Sequence, residues 1–403
     1  MRRSPHGAGD GLTAAAARRT ALRFVLLIGV LSFFADFAYE GSRSILGPYL
    51  GSLAASATVI AVVTGFGELA GYALRLLSGR LADLTRQFWP ITIFGYVVQM
   101  TAVPALALTH TWPAAAALIV LERAGRAIRN PPRDVMLSHA GKHVGYGWVF
   151  GLHEGFDQCG ALLGPLLVAA VLAHQGNYTQ AFALLLVPAV ITIGFLLLAR
   201  VLYPRPQDLE SAPPDVHARG LPATYWVYLA GAALVAAGFV DYPLIAYHLT
   251  RERVLSGSGA AIFYSVAMAV SGGGSLVFGR LFDRFGFQVL IVLTILSAAF
   301  APLVFLGGFG LALAGAALWG LGMGVHESII PAAVSHMVRP ERRASAFGLF
   351  TAGYGIFWFL GSAAIGLLYD RSIGAAIAFC VIAELAAVPL FVWVARRSRV
   401  SPA

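Results

Sequence analysis

Uninterrupted apolar stretches decide what this chain can fold into. Twelve of them, at about 21–48, 56–79, 89–108, 113–130, 146–173, 178–200, 223–247, 258–279, 287–306, 309–337, 345–369 and 373–395, are long enough to cross a hydrocarbon core of roughly 30 Å, which takes roughly 20 helical residues. With 58% hydrophobic and only 12% charged residues, the chain has too much apolar surface for water and needs lipid as its solvent. Only helices and closed barrels satisfy every backbone group there, and continuous runs instead of short alternating ones select helices. The expected fold class is an all-α membrane protein with twelve transmembrane helices.

The chain also repeats itself. Gly79-Arg80-Leu81-Ala82-Asp83-Leu84-Thr85-Arg86 is echoed by Gly279-Arg280-Leu281-Phe282-Asp283-Arg284-Phe285-Gly286. Ser138-His139 matches Ser335-His336, Phe150-Gly151-Leu152 matches Phe347-Gly348-Leu349, and Gly164 matches Gly361, each 197 residues on. Two related six-helix halves follow, as in many secondary transporters. The expected division is a basic tail at 1–20, a first bundle at 21–200, a linker at 201–222, a second bundle at 223–395 and a tail at 396–403. Pro204, Pro206, Pro213, Pro214 and Pro222 among Asp208, Glu210 and Asp215 mark that linker.

A net charge of +9 raises nucleic-acid binding, and charge placement removes it. With the N-terminus inside, basic residues outside the spans gather in the tails and even-numbered loops, leaving only Arg251, Arg253 and Arg371 on the other side. This positive-inside bias puts both termini in the cytoplasm of a cell inner (plasma) membrane protein. Residues 1–20 carry Arg2, Arg3, Arg18 and Arg19 without a signal-peptide core. Cys159 and Cys380 fall inside spans and give neither a disulfide framework nor a metal-ligand pattern. No cofactor or metal is expected, and no nucleotide loop or nucleophile motif suggests an enzyme.

Charge inside the spans is uneven, and each such residue costs roughly 2.5–3.5 kcal/mol at a helix centre. Spans three and nine carry none, span six only Arg200 at its very end, and span twelve only Glu384. Every third helix is therefore expected to face lipid while the rest line a polar cavity. Asp36, Glu40 and Arg43 on span one share one face at i, i+4 and i+7. Two acids beside one Arg suggest a proton carrier, or a charge network balanced by Arg75 or Arg123. Glu154 and Asp157, after His153, form a second acidic pair on span five. Glu68, Glu122, Asp241, His326, Glu327, Tyr354 and Trp358 complete the cavity candidates; the aromatic rings suit apolar or cationic molecules, or simple packing.

The duplicated Gly-x-x-x-Asp loop resembles the signature loop of the major facilitator superfamily, and the resemblance extends over the whole chain. It implies that Asp83, with Gly79, Arg80 and Arg86, latches the two halves against each other, and that Gly279, Arg280, Asp283 and Arg284 form the second copy. Arg126, Arg129 and Arg133, in the stretch that leads from span four into the following loop, then serve as topology anchors and latch partners. Gly160-Ala161-Leu162-Leu163-Gly164-Pro165 is similar to the helix-bend motif of the family's drug:proton antiporters, although Val168-Ala169 stands where a Gly pair is usual. These resemblances imply a monomeric, proton-coupled exporter of a small organic molecule. The alternative is an importer or exchanger of an anionic metabolite held by Arg43 and Arg123.

Overall fold

The computed structural model describes residues 7–174, 176–204, 221–326, 330–338 and 343–398. Most of the 201–222 linker, Glu327 and the side chain of Asp283 lie outside the described residues. Among the described residues every regular element is helical. The helices are α1 (Gly7–Arg43), α2 (Leu46–Ser52), α3 (Ala57–Thr85), α4 (Phe88–Ala105), α5 (Trp112–Val144), α6 (Tyr146–Ala173), α7 (Tyr178–Leu184), α8 (Leu186–Leu202) and α9 (Ala223–Gly238). They continue as α10 (Tyr242–Arg251), α11 (Gly257–Phe285), α12 (Phe287–Ser297), α13 (Phe300–Leu306), α14 (Phe309–Gly324), α15 (Ile330–Met337), α16 (Arg343–Arg371) and α17 (Ile373–Ser398).

Ten helical stretches are long and apolar enough to cross a membrane, against twelve expected. The two that fall short have different reasons. α5 carries too much charge, with Glu122, Arg123, Arg126, Arg129 and Arg133 along its length. α14 is apolar but has 16 residues, which at about 1.5 Å each fall short of the hydrocarbon thickness.

The repeat in the sequence is a repeat of helix caps. Ser56 accepts from Val59 N at 3.2 Å and opens α3; Ser256 accepts from Gly259 N at 3.2 Å and opens α11. Both helices run 29 residues and both stop at a positive φ, 53° at Arg86 and 60° at Gly286. A serine N-cap contributes about 1 kcal/mol, and a left-handed residue ends a helix by turning its last carbonyls toward new donors.

The buried apolar residues fall into two clusters. One is drawn from residues 21–199 with Ala261, the other from residues 225–394 with Ala57, Ala61 and Ala161. Two helices are broken at matching places. α1 gives way to α2 at Ser44-Ile45, and α9 to α10 at Phe239-Val240-Asp241. Pro243, in the first turn of α10, has no N–H to continue α9. Trp319 Nε1 donates to Val240 O at 2.7 Å, so the interrupted backbone stays bonded inside the protein, as lipid requires.

The halves meet unequally on the two faces of the bundle. On the face that holds α2, α10 and the start of α3, a Cβ on Gly47 would stand 1.7 Å from Pro243 O, one on Gly366 2.7 Å from Ala61 Cβ, and one on Gly257 3.0 Å from the Tyr178 hydroxyl. Asp370, at the end of α16, accepts from both Thr58 N (2.9 Å) and Thr58 Oγ1 (2.5 Å), so an acid from one half caps the second helix of the other. On the opposite face, which holds Asp83 and the turn at Gly145, a Cβ on Gly71, Gly151, Gly155 or Gly273 would meet nothing within 4 Å. The first face is sealed and the second is open.

Close packing of α6 on α1 depends on glycine: a Cβ on Gly164 would lie 2.1 Å from Phe37 O, and one on Gly160 2.4 Å from Phe33 O. Gly164→Leu is expected to melt far below the wild type in detergent, whereas Pro165→Ala, in a helix that already runs unbroken through residue 165, should stay close to it. A Gly164→Leu protein within about 2 °C of wild type would show that α6 has room to shift. The Asp370 cap gives a second test. Asp370→Ala should raise maleimide labelling of an Ala61→Cys reporter, in a Cys159→Ser/Cys380→Ser background, by opening the sealed face; unchanged labelling would mean the seal does not depend on this cap.

Candidate functional site

A cavity of about 650 Å³ lies between the halves, within the range of small-molecule sites. Residues from α1, α3, α5, α6, α11, α14, α15 and α16 line it, and none from α4, α8, α12, α13 or α17 does. Its walls reach Arg75, Asp134, Phe150 and Phe347, all on the part of their helices nearest the open face. Glu384, the lone acid of α17, is fully buried away from it.

The first half supplies a charged seam where α1 meets α5. The helix α5 does not end at Pro131-Pro132 but continues to Val144. Pro131 has no N–H for the Ala127 carbonyl, and Ser78 Oγ on α3 donates to that oxygen at 3.3 Å instead. Glu122, Arg126, Arg129 and Arg133 thereby fall at i, i+4, i+7 and i+11 on one face. This corrects the sequence expectation of a loop after residue 130. Arg126 lines the cavity, and Arg129 is buried behind it against Asp36.

Asp36 receives Arg129 Nη2 at 3.2 Å and Arg126 Nη2 at 3.5 Å. Arg129 is fully buried; it also donates to Gln99 Oε1 at 2.6 Å and to the Tyr96 hydroxyl at 2.7 Å. Gln99 passes the chain on, donating to Glu122 at 3.1 Å. Glu40 stands 3.8 Å from Arg43 and 3.7 Å from Arg126. Glu68 binds Arg123 at 2.8 Å and lies 3.9 Å from Arg43. The Tyr39 ring separates two like charges, with the Arg126 and Arg123 guanidinium carbons 4.1 Å and 4.9 Å from its centroid. Asp36 and Glu40 each have two guanidiniums, so the surplus of acid expected on span one is absent.

Two bonds tie this seam to the second half, and a third holds one of their partners in place. Arg43 Nη2 donates to Asp241 Oδ1 at 3.4 Å, joining the two helix breaks at residues 198 apart. Trp358 Nε1 donates to the other Asp241 oxygen at 3.3 Å, and the Tyr264 hydroxyl to Glu40 at 2.5 Å. Beyond them the second-half wall is apolar and aromatic: Met268, Met323, Phe347, Phe350, Tyr354 and Trp358. His326 bonds the Tyr354 hydroxyl through Nδ1, while its buried Nε2 has no partner.

The α6 acids are placed differently from those of α1. Asp157 Oδ2 lies 3.4 Å from His153 Nδ1, and His153 Nε2 meets Ser32 Oγ at 2.9 Å. Asp157 Oδ1 has no hydrogen-bond partner. Glu154 is exposed to the cavity and accepts only from Gln158, at 2.8 Å. No Arg forms an ion pair with either acid among the described residues. Outside the cavity, Asp83 is exposed at the end of α3 and makes no hydrogen bond or ion pair among the described residues. Arg80, Arg86, Arg280 and Arg284 are exposed on the same face, Gly79 packs over Pro131, and Gly279 adjoins open space.

Comparison with known proteins agrees with this architecture. The sequence profile described as Major Facilitator Superfamily matches residues 26–306 and 227–403. An uncharacterized protein of Mycobacterium tuberculosis (strain ATCC 25618 / H37Rv) is 39% identical over 405 residues, covering 98% of this chain and 99% of that protein. An uncharacterized MFS-type transporter of Methanocaldococcus jannaschii is 27% identical over 363 residues, covering 86% and 89%. Among solved structures, a POT family transporter in complex with 5-aminolevulinic acid superposes with a TM-score of 0.73 at 12% identity, covering 94% of this chain and 96% of that one. A bacterial homolog of the human lysosomal transporter Spinster, inward-facing and occupied, gives 0.71 at 16% identity with 94% and 98% covered. With the profile spanning both halves and a relative aligned along almost its full length, this chain is a multi-pass membrane protein that belongs to the Major Facilitator Superfamily.

Proposed function

We propose that the chain is a secondary active transporter that exports a small organic molecule in exchange for protons, by alternating access to the central cavity. The observation that carries this reading is the pairing of a sealed face with an open one around a charged, ligand-sized space. α5 and the α14–α15 region serve as the remaining two of twelve spans, their charge and brevity tolerated because they face protein and cavity. The positive-inside rule makes the Asp83 face cytoplasmic, so the described state is inward-open. Asp83 stands free there and engages the other half when that face closes. Both walls of the cavity come from one chain, so a monomer suffices.

The proton carrier in this reading is Asp157 with His153. Asp36 and Glu40 are each held by two guanidiniums, but Asp157 has only an imidazole and an unused oxygen. It lies in the field of Asp36, Glu154, Arg129 and Arg133, with Ser32 beyond the imidazole. The acids and bases around it are therefore mixed, and its charge is not fixed by a salt bridge. Uptake or exchange of an anion is the second reading. The buried Arg123 Nη2 and Arg126 Nε, which have no acceptor, favour it.

Both parts are testable in proteoliposomes once substrate-dependent proton flux has identified a transported compound. Asp157→Asn is expected to lose flux driven by a pH gradient while keeping substrate exchange. Asp36→Asn is expected to fail earlier, because it strips the buried Arg129 of its carboxylate at a cost of about 3–5 kcal/mol, read as lost thermal stability. Wild-type proton coupling in Asp157→Asn would remove it as the carrier, and net uptake under an inward proton gradient would favour the second reading.

A further inference from the structure

The charges on the first-half wall do not cancel evenly along it. Asp36, Glu40 and Glu68 each lie within ion-pair distance of two arginines, and Asp134 is paired with Arg133 at 2.9 Å. Among the described cavity-lining charges three groups have no ion pair to an opposite, permanently charged side chain of a described residue: Arg75 on α3, and Glu154 and Asp157 on α6. The Arg75 guanidinium carbon lies 5.9 Å from the Tyr72 centroid, and its side chain is exposed in the cavity. Glu154 is exposed as well, and Asp157 keeps one oxygen unbonded.

These leftover charges sit on opposite edges of the cavity. α3 packs on α5 and α16, while α6 packs on α1 and α11, so the α1–α5 seam lies between them. Neighbouring helix axes are 8–10 Å apart, which puts α3 and α6 roughly 16–20 Å apart when one helix intervenes. After the reach of an arginine from one side and a carboxylate from the other, a gap of several ångströms remains. Facing that gap, the described second-half wall is mostly rings and thioethers, Met268, Met323, Phe350, Tyr354 and Trp358, with the hydroxyls of Ser275 and Thr351 and the imidazole of His326, and it carries no carboxylate or guanidinium.

Building on the transporter reading, we propose that the cavity selects a zwitterion with a flat apolar body, its anionic and cationic groups several bonds apart. The anionic group pairs with Arg75 and the ammonium with Glu154 and Asp157, while the body lies on the aromatic wall. An α-amino acid has its charges too close together to reach both edges. A purely anionic or purely cationic ligand leaves one edge desolvated and unpaired, which a cavity in a low-dielectric bundle penalises. The ammonium also competes with a proton for Asp157, so arrival of the ligand expels the proton, as exchange requires.

The test uses three probes with one body: phenylalanyl-phenylalanine with free termini, its N-acetyl form and its C-terminal amide, bound to the purified full chain near pH 7. The free-termini form should bind at least about tenfold tighter than either capped form, the scale of one lost charge-assisted bond. Arg75→Gln should abolish the preference over the amide and keep the preference over the N-acetyl form. Glu154→Gln with Asp157→Asn should do the reverse. A structural collapse would lower all three affinities together and cannot produce this crossed pattern. If either capped probe binds wild type as well as the free one, or none of the three binds, the zwitterion inference is wrong. The transporter reading is judged separately, by gradient-driven flux and by labelling of the sealed face, neither of which requires these probes.

Discussion

Keeping several permanent charges inside a lipid-solvated bundle is the constraint to which the rest of this structure answers. Four arginines, Arg43, Arg123, Arg126 and Arg129, are each held by acids or amides of neighbouring helices. A buried pair gains little over an apolar contact of the same size, but losing one partner is expensive. The helices of the first half are consequently committed to one arrangement. α1 must present Asp36 and Glu40 to α5, and α3 must present Glu68 to Arg123. The glycines at 160 and 164 let α6 close against α1 without disturbing that seam.

Among the described residues the second half carries no matching network. Its core is a packed group of rings, Phe239, Tyr242, Tyr264, Trp319 and Trp358, with centroids 4.4–6.0 Å apart along the contacts they form. Halves that share helix caps and helix lengths have thus diverged in chemistry, one holding charge and the other apolar surface. Among the described residues they touch through few polar bonds, Arg43 to Asp241, Tyr264 to Glu40, Ser265 to the Leu162 carbonyl and Asp370 to Thr58. Few bonds between the halves suit a molecule whose halves rock against each other, because each bond must be exchanged when the other face opens.

Much of this was legible in the sequence. The loop around Asp83, repeated around Asp283, is the sequence sign of two related halves, and spans three, six, nine and twelve supply no residue to the cavity wall. Three features escaped for physical reasons. Pro131-Pro132 looked like a helix end, because nothing in the local sequence says that Ser78, 49 residues earlier, would supply the missing donor. With a span that stops at residue 130, the run from Arg126 to Arg133 reads as the approach to a loop, and Asp36 reads as short of bases. The i, i+4, i+7, i+11 spacing from Glu122 to Arg133 was the available signal. The breaks at residues 44–45 and 239–241 were hidden inside continuous apolar runs. There the local hints of a new helix start are Pro48, in the first turn of α2, and Pro243, in the first turn of α10.

Lys142 is the only lysine among the 28 basic residues, and every fixed positive charge in the cavity wall is an arginine. A guanidinium does not give up its proton at any pH the cell meets. The positive side of the site is therefore a constant, and only carboxylates and imidazoles can change their state. The pH dependence of the site then reports its carboxylates and imidazoles and not its cationic scaffold. Alkaline conditions that would discharge a lysine-lined cavity leave this one with its cationic scaffold intact.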